Sequence, residues 1–253
     1  MDLGLEDKVA VVTGAGSQTG FGKTISLTLA KEGCDIVAVD IDYDGSEKTA
    51  AAIEKLGRKA LPVKVDVTKK ADLEKMVSKA RSKFGKIEIL VNNAGAILGG
   101  GPFLEQDEEL WDRELALNLK SCILCSQAVL PVMIERKYGR IVNIASDTAK
   151  MVWPMVAMYN IAKAGVYKFT RDLARTVISY GILVNCISPG WSMDTDFMKG
   201  DKKAAEKRFL AETPVGRGTT PQDIANAVAF FASDVSSDIV GQILSISGGS
   251  SMQ

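Results

Sequence analysis

The most informative absence in this sequence is histidine, which does not occur once in 253 residues. Without an imidazole, Ser-His-Asp and Cys-His nucleophile systems are excluded, together with every metal site that needs a histidine ligand. General acid–base chemistry in this chain must therefore use tyrosine, lysine, carboxylate or thiol groups.

A surplus of charge of either sign is also missing, because 31 Lys and Arg residues face 31 Asp and Glu residues. Such a chain has no global field to attract nucleic acid or an acidic membrane. No run of consecutive apolar residues is long enough to span a bilayer, and the N-terminal segment does not have the layout of a signal peptide. We therefore expect a cytoplasmic protein that binds neither nucleic acid nor a membrane.

Cysteine is scarce, and two of the four cysteines, Cys122 and Cys125, form a C-x-x-C pair. This spacing occurs in redox and metal sites. Here it lies inside an apolar stretch with a helical pattern and without a glycine turn, which favours two small buried residues one turn apart. We expect no metal site.

Strand and helix patterns alternate from one end of the chain to the other, and the first three helical patterns stop at Gly33, Gly57 and Gly85. The strand patterns are continuous apolar runs, as expected for strands covered on both faces. This alternation predicts an α/β fold, a doubly wound and mainly parallel sheet, over residues 1–253. The irregular segment 191–218 is predicted to be a lid over a substrate.

A glycine-rich turn, TGAGSQTGFGKT, joins the first strand to the first helix. The free N–H groups and the dipole of such a helix start suit a pyrophosphate, and Gly14 and Gly20 permit the tight turn and the close approach. Asp40 ends the second strand, where a carboxylate accepts hydrogen bonds from both adenosine ribose hydroxyls and repels a 2′-phosphate. Since the turn holds no cation before Lys23, the pattern favours NAD over NADP.

Tyr159 and Lys163 lie one helical turn apart in the segment YNIAK, so that both face the same side. A nearby ammonium lowers the pKa of a phenol, which is otherwise near ~10. Tyr159 is then able to take the proton of an alcohol as hydride leaves, or to return it. Ser146, at the end of a strand, is predicted to hydrogen-bond the substrate oxygen. The alternative interpretation of the spacing is an ordinary surface pair.

These motifs occur in order with an Asn92-Asn93-Ala94-Gly95 segment, Asn118 and a Pro189-Gly190 pair, and they cover essentially the whole chain. The combination resembles the short-chain dehydrogenase/reductase family. The resemblance implies a Rossmann-like fold with seven strands in the order 3-2-1-4-5-6-7. It also implies hydride transfer between a nicotinamide cofactor and a secondary alcohol, and a homotetramer.

The resemblance carries roles to individual positions. The implied catalytic residues are Asn118, Ser146, Tyr159 and Lys163, with Asn118 anchoring a water that links Lys163 to solvent. Asp66 and Val67 are implied to face the adenine. The full set of predicted cofactor-binding residues is Gly14, Ser17, Gln18, Gly20, Phe21, Asp40, Asp66, Val67, Asn93, Ala94, Gly95, Tyr159, Lys163, Pro189, Ser192 and Thr195.

Two departures from the family pattern affect the cofactor half. Five residues separate Gly14 from Gly20, where the family usually has three, so the loop must follow another path around the pyrophosphate, with Ser17 and Gln18 assisting. Thr195 falls one position later than in the common family pattern. In the enoyl reductases the tyrosine stands seven residues before the lysine, and that position here is Val156. The spacing therefore indicates carbonyl or alcohol chemistry.

The predicted substrate cleft is apolar and rich in methionine and tryptophan, including Trp153, Met155 and Trp191. It suggests a hydrophobic substrate, either a cyclic or aryl secondary alcohol or a 3-hydroxyacyl thioester. The carrier-protein reductases usually have an arginine where this chain has Tyr180, which favours coenzyme A over acyl carrier protein. Basic residues between 199 and 208 would suit the phosphates of coenzyme A, or form a solvated helix face.

Two other interpretations remain open. The chain would be a catalytically silent subunit that serves assembly with an active, related partner, or an NAD-sensing binding protein. The altered glycine loop favours the first of these, and the intact Ser146, Tyr159 and Lys163 set argues against both.

Overall fold

A parallel sheet forms the centre of the protein, for which the computed structural model describes residues 2–192 and 209–252. Its strands are β1 Val9–Thr13, β2 Asp35–Asp40, β3 Ala60–Lys64, β4 Ile89–Asn92, β5 Gly139–Ile144, β6 Ile182–Pro189 and β7 Ile243–Ile246. They lie in the order β3-β2-β1-β4-β5-β6-β7, and every neighbouring pair is parallel. The predicted seven-stranded doubly wound sheet and its strand order are confirmed.

Helices connect the strands. They are α1 Phe21–Lys31, α2 Tyr43–Glu54, α3 Lys70–Phe84, α4 Glu108–Leu115, α5 Ser121–Arg136, α6 Ala157–Val177 and α7 Pro221–Ala232. A π-helical turn, Ala116–Lys120, joins α4 to α5 without a break. The predicted glycine stop of α3 is confirmed, because Gly85 takes a φ of +74° at the helix end, a conformation that glycine adopts without steric cost.

Alternate residues of the strands belong to two separate cores. Ala10 and Val12 of β1 join a cluster that includes residues of α1 and α7. Val9 and Val11 join a second cluster with residues of α3 and α5. Because strand side chains alternate between faces, apolar residues at every position are what a doubly covered sheet requires. Burial of each such side chain contributes about 1.5–3 kcal/mol.

The helical run Glu108–Arg136 is long and apolar enough, by length and composition, to cross a membrane, with a hydropathy of 1.5 over its most apolar window. The expectation based on consecutive apolar residues missed it, because polar residues such as Lys120 and Ser126 interrupt the run. Val129 and Met133 of α5 pack into the second core. A core helix passes the same test, so this one helix is weak evidence for a membrane span.

The C-terminal ends of the parallel strands lie along one edge of the sheet, which is where doubly wound folds bind their ligands. The predicted lid at 191–218 falls largely on residues 193–208, which lie outside the described residues.

Candidate active site

The glycine-rich turn leaves β1 through Gly14, whose φ is +70°. A Cβ on Gly14 would lie 2.8 Å from the Asn93 amide nitrogen, and one on Gly22 would lie 2.1 Å from the Gly14 carbonyl oxygen. Both positions therefore require glycine, and they bring the start of α1 directly onto the turn.

The longer loop is braced against α2 by Gln18. Its side-chain amide donates to the carbonyl oxygens of Gly16 at 2.8 Å and Gly45 at 3.1 Å. Its carbonyl oxygen accepts a hydrogen bond from Lys23 at 2.8 Å. The extra residues thus follow a path against the start of α2. Both polar groups of Gln18 have protein partners, so its assistance to a pyrophosphate stays a prediction.

The start of α1 fits a bound anion. The hydroxyl of Ser17 accepts the N–H of Gly20 at 3.0 Å, and Gly20 occupies the N-cap position. No side chain caps the helix and no acidic residue lies in its first turn. The N–H groups that begin at Phe21 are therefore open to a phosphate, as the sequence predicts.

Asp40 lies at the end of β2 against this loop. One of its carboxylate oxygens accepts the N–H of Gly16 at 2.8 Å, and the other accepts the N–H of Asp42 at 3.0 Å. Asp42 caps α2 and accepts the N–H of Gly45. The position predicted to meet the adenosine ribose is thus surrounded by carboxylates.

Asp66 and Val67 follow β3, which lies beside β2 in the sheet. Burial raises the pKa of Asp66, but hydrogen bonds from Thr68 and the charge of Lys69 outweigh burial and hold that pKa below its usual value. Val67 is buried. The two residues lie at the ligand edge of the sheet, where an adenine position is expected.

Thr13 is a functional residue that the sequence reasoning missed. Its hydroxyl accepts the N–H groups of Asn93 and Ala94, each at 3.0 Å, and donates to the Val91 carbonyl at 3.2 Å. Asn93 in turn donates to the Thr13 carbonyl at 2.9 Å. A threonine directly before the glycine turn, matched with the Asn-Asn-Ala-Gly segment, is the signal that would have found it.

Gly95 brings this segment against two of the predicted catalytic residues, Asn118 and Lys163. A Cβ there would lie 2.8 Å from the side-chain oxygen of Asn118 and 3.1 Å from the ammonium of Lys163. Asn118 lies on the π-helical turn, a feature frequent at functional sites. Its amide donates to the Ala96 carbonyl at 2.8 Å, and its oxygen accepts the Ala96 N–H at 3.1 Å.

Tyr159 and Lys163 are both buried on α6, which excludes the surface-pair interpretation. The Lys163 ammonium donates to the Ile144 carbonyl at 3.0 Å and lies 5.6 Å from the centre of the Tyr159 ring. Ser146, just beyond β5, hydrogen-bonds the Tyr159 side chain. The structure therefore brings the predicted Asn118, Ser146, Tyr159 and Lys163 together.

Burial dominates the acid–base properties of this pair. It lowers the pKa of Lys163 to about 8. It raises the pKa of Tyr159, and the hydrogen bond with Ser146 offsets this only in part. This differs from the expectation that Lys163 lowers the phenol pKa, since in the free protein desolvation is the larger effect. Perturbed pKa values in a cleft are typical of functional sites.

Glu114 is a second residue that the sequence reasoning missed. It lies on α4, one turn before Asn118, and only 2 % of it is exposed. Its carboxylate accepts the N–H groups of Leu98 at 2.6 Å and Gly99 at 3.3 Å, and the Asn118 amide at 2.7 Å. A glutamate four residues before Asn118, one helical turn away on the same face, is the signal in the sequence.

The far side of the site carries a free hydroxyl. Pro189 ends β6, and Ser192 beyond it is buried with a hydroxyl that has no hydrogen-bond partner among residues 2–192 and 209–252. A buried unpaired hydroxyl is uncommon and fits a polar ligand such as a carboxamide. Thr195, the third predicted contact of this segment, lies outside the described residues.

Aromatic side chains cluster beside the start of α6, where the Asn160 amide donates to the Trp153 carbonyl. Trp191 stacks on Phe209 with ring centres 4.9 Å apart, and Trp153 meets Phe209 edge-on at 6.3 Å. The loop after β4 borders the same region, because the N–H of Gly101 donates to the Met155 carbonyl at 2.9 Å. This arrangement agrees with the predicted apolar cleft.

Comparisons with known proteins show which family this chain resembles along its length. The family model described as enoyl-(acyl carrier protein) reductase matches residues 14–251. The chain is 36% identical to the 3-oxoacyl-(acyl carrier protein) reductase FabG of Escherichia coli over 247 residues, covering 98% of each. It is 38% identical to the hydroxy(phenyl)methylsuccinyl-CoA dehydrogenase subunit BbsD of Thauera aromatica over 250 residues, covering 99% of each.

Solved structures agree. A 7α-hydroxysteroid dehydrogenase in complex with NADH and 7-oxo glycochenodeoxycholic acid superposes with a TM-score of 0.92 at 35% identity, covering 98% of this chain and 96% of that one. A short-chain type dehydrogenase/reductase from Mycobacterium marinum gives 0.93 at 27% identity, covering 100% and 98%. With its cofactor cradle, its buried Tyr159 and Lys163 and the adjoining Ser146, the chain belongs to the short-chain dehydrogenase/reductase family, oxidoreductases that bind a nicotinamide cofactor and act on CH–OH groups.

Proposed function

We propose that this protein is an NAD-dependent dehydrogenase that interconverts a hydrophobic secondary alcohol and its ketone, with 3-hydroxyacyl thioesters of coenzyme A among its substrates. The observation that carries the proposal is the buried Tyr159 and Lys163 pair, with Ser146 hydrogen-bonded to Tyr159, in a chain whose glycine turn fits a pyrophosphate. A silent member of the family has no need for a tyrosine and a lysine kept buried at this cost.

The chemistry divides between the cofactor and the protein. The glycine turn and Ser192 would hold a nicotinamide cofactor, which would supply the hydride acceptor or donor. Tyr159 holds or takes the proton at the alcohol oxygen, and the Ser146 hydroxyl donates a hydrogen bond to the same oxygen as its charge develops. The Lys163 ammonium favours the phenolate form of Tyr159. Asn118 fixes the segment after β4 through its two hydrogen bonds with Ala96.

The choice of NAD over NADP rests on charge. We expect the 2′-phosphate of NADP to meet the carboxylates of Asp40 and Asp42. Lys23, the first cation of the glycine-rich turn, donates to Gln18. The relative of known structure that carries NADH in its crystal is consistent with this choice.

The aromatic cluster of Trp153, Trp191 and Phe209 favours a cyclic or aryl group on the substrate, since stacked rings offer a flat apolar surface. Relatives whose names specify a phenyl-bearing coenzyme A thioester and a cyclohexane carboxylate act on such groups. A carrier-protein substrate is the less favoured choice, because Tyr180 stands where carrier-protein reductases usually have arginine.

Isothermal titration of the purified protein with NAD and with NADP tests the proposal. We expect NAD binding in the micromolar range and NADP binding weaker by about tenfold or more, as a charge repulsion of about 1.4 kcal/mol gives. A screen of aryl and cyclic secondary alcohols and of 3-hydroxyacyl-CoA esters then follows. Binding of neither cofactor would contradict the proposal.

A second candidate is a subunit that assembles with a related, active partner. It is favoured by the BbsD relative, whose name describes a dehydrogenase subunit, and by the lengthened glycine loop. In that case the protein alone binds no cofactor and turns over no substrate, and co-purification with a related chain restores activity. A homotetramer and a cytoplasmic location stay predictions, the first measurable by light scattering on the eluted protein.

A further inference from the structure

Glu114 occupies a place in the site that the Ser146, Tyr159 and Lys163 chemistry does not require. Its α4 helix packs against α6, the helix that carries Tyr159 and Lys163. One oxygen of its carboxylate accepts two backbone N–H groups from the loop after β4, at Leu98 and Gly99, and the other accepts the Asn118 amide. The side chain thereby joins the loop to the catalytic asparagine.

The carboxylate form of Glu114 fits these partners. Each of its three hydrogen bonds comes from an N–H donor, so an added proton would find no acceptor among them. Burial is the largest effect and raises the pKa of Glu114 above its usual value, although the N–H groups of Leu98 and Gly99, the Asn118 amide and the charge of Lys163 offset part of the rise. The group is thus a buried negative charge held by donors.

We propose that Glu114 is a positioning residue with two roles: it fixes the loop Ala96–Gly99 at the substrate cleft, and its negative charge holds the Lys163 ammonium protonated. The proposal rests on the proposed dehydrogenase function for its kinetic consequences. Its electrostatic part concerns the free protein and is independent of turnover.

The electrostatic role makes a prediction with a fixed sign for both members of the pair. Glu114 lies near Lys163 through Asn118, because a Cβ on Gly95 would lie 2.8 Å from the Asn118 side-chain oxygen and 3.1 Å from the Lys163 ammonium. A negative charge there favours the ammonium of Lys163 and disfavours the phenolate of Tyr159. The other titratable groups that face this pair are Cys122 on α5, Cys186 on β6 and Tyr167 on α6. Burial raises the pKa of each of these three, so they are neutral near pH 7 and leave Glu114 as the acidic charge.

The loop role has a separate consequence. The loop after β4 continues to Gly101, whose N–H donates to the Met155 carbonyl beside the aromatic cluster. A shift of Leu98 and Gly99 would move this border of the cleft and weaken substrate binding. Loss of the loop contact therefore changes KM, whereas loss of the charge changes the pH dependence.

Lysine ¹³Cε NMR on the cofactor-free protein tests the charge directly. The Lys163 signal, assigned by its absence in Lys163→Met, should titrate with a pKa of about 8 in the parent protein. In Glu114→Gln, which keeps an acceptor for Leu98 and Gly99, the midpoint should fall by about one pH unit. A midpoint equal to that of the parent protein would overturn the proposal, whether or not the enzyme turns over.

Kinetics provide the second readout. Both the acid and the alkaline limb of the kcat/KM profile should move to lower pH in Glu114→Gln, because the phenol and the ammonium each lose their proton more readily. Glu109→Gln, which removes an exposed charge from the same helix, is the matched control and should shift neither limb. Glu114→Asp keeps the charge and shortens the reach to the loop, so it should raise KM with the limbs in place.

If Glu114→Gln fails to fold, the effect of Lys163 on the pKa of Glu114 tests the same interaction from the other side. Removal of the ammonium in Lys163→Met should raise the pKa of the Glu114 carboxyl, followed by ¹³C NMR and assigned with Glu114→Asp. An unchanged Glu114 titration there would contradict the proposal.

Discussion

Buried charged groups occupy both ends of the central strands, and the two ends treat them differently. At the N-terminal end of β5, the Arg140 guanidinium is 6% exposed and donates to the Ser233 and Gly139 carbonyls and to Asp234. The Tyr138 ring lies 4.4 Å from it. Beside it, Glu88 accepts the Val9 N–H and pairs with lysine.

At the opposite end, Lys163 is 4% exposed and donates one hydrogen bond, to Ile144. Among residues 2–192 and 209–252, no ion pair within 4.0 Å involves its ammonium. Charged groups at the N-terminal end of the strands, the lower end, are neutralised by partners of opposite charge. The Lys163 ammonium at the C-terminal end, the upper end, is only partly compensated. The first arrangement stabilises the fold; the second costs stability and is what a catalytic site requires.

The largest expected effect is a loss of activity that distinguishes Lys163 from Arg140. Lys163→Met should lower kcat by about 10²–10⁴-fold, since Tyr159 then lacks its cation. The free energy of unfolding at pH 7 should stay the same or rise, because a buried ammonium is removed at the loss of one hydrogen bond to Ile144. Steady-state turnover and urea unfolding on the same preparation measure both. A large loss of stability would show that Lys163 is structural, like Arg140.

The next effect is the reverse case at the lower end. Arg140→Met should lower the free energy of unfolding by about 2–3 kcal/mol, because two backbone carbonyls lose a donor in a buried setting, while the exposed Asp234 keeps its contacts with Tyr138 and Lys8. Activity per folded molecule should not change. Arg136→Met is the matched control, since its partially exposed side chain lies 4.0 Å from Glu88, and it should cost less than about 0.5 kcal/mol.

A pH series sharpens the stability cost of Lys163. Below pH 8 both folded and unfolded chains hold this proton, and above it the folded chain releases it first, at a pKa of about 8. Between there and about pH 10.4 the unfolded chain binds more protons, so stability rises with pH through this group. The excess stability of Lys163→Met over the parent protein should therefore shrink by about 2 kcal/mol across that window. Urea unfolding at pH 7.5 and pH 10 checks it, and a constant difference would show that the Lys163 pKa is not lowered.

The smallest expected effect concerns Asp40, a partly exposed charge at the upper end of β2. Asp40→Asn should narrow the preference for NAD over NADP by about tenfold, equal to about 1.4 kcal/mol, since the repulsion of a 2′-phosphate is lost. Titration calorimetry with both cofactors measures it. An unchanged ratio would place the discrimination elsewhere in the loop.

Much of the fold and of the candidate site could be predicted from the spacing of residues that are close in sequence. The glycine stop at Gly85, the positive φ of Gly14 and the shared face of Tyr159 and Lys163 all depend on neighbours within a turn or two. Apolar strands predicted the doubly covered sheet for the same reason, because each strand shows its own two faces.

Contacts between distant segments were out of reach. Gln18 has its partner Gly45 on α2, and Thr13 holds Asn93, 80 residues away. Asp147 accepts the hydroxyl of Ser245, 98 residues away. The pKa of Tyr159 depends on how deeply the finished fold buries it. Spacing along the chain contains none of this information.

The turnover of Tyr159→Phe tests most directly the claim that this site performs hydride transfer through a tyrosine. The substitution removes the phenolic hydroxyl and keeps the buried ring. NAD affinity measured by calorimetry should therefore stay within about threefold, and kcat should fall by about 10³-fold or more. Turnover at the parent rate, with the parent substrate and NAD, would contradict the assignment of Tyr159 as the acid–base group.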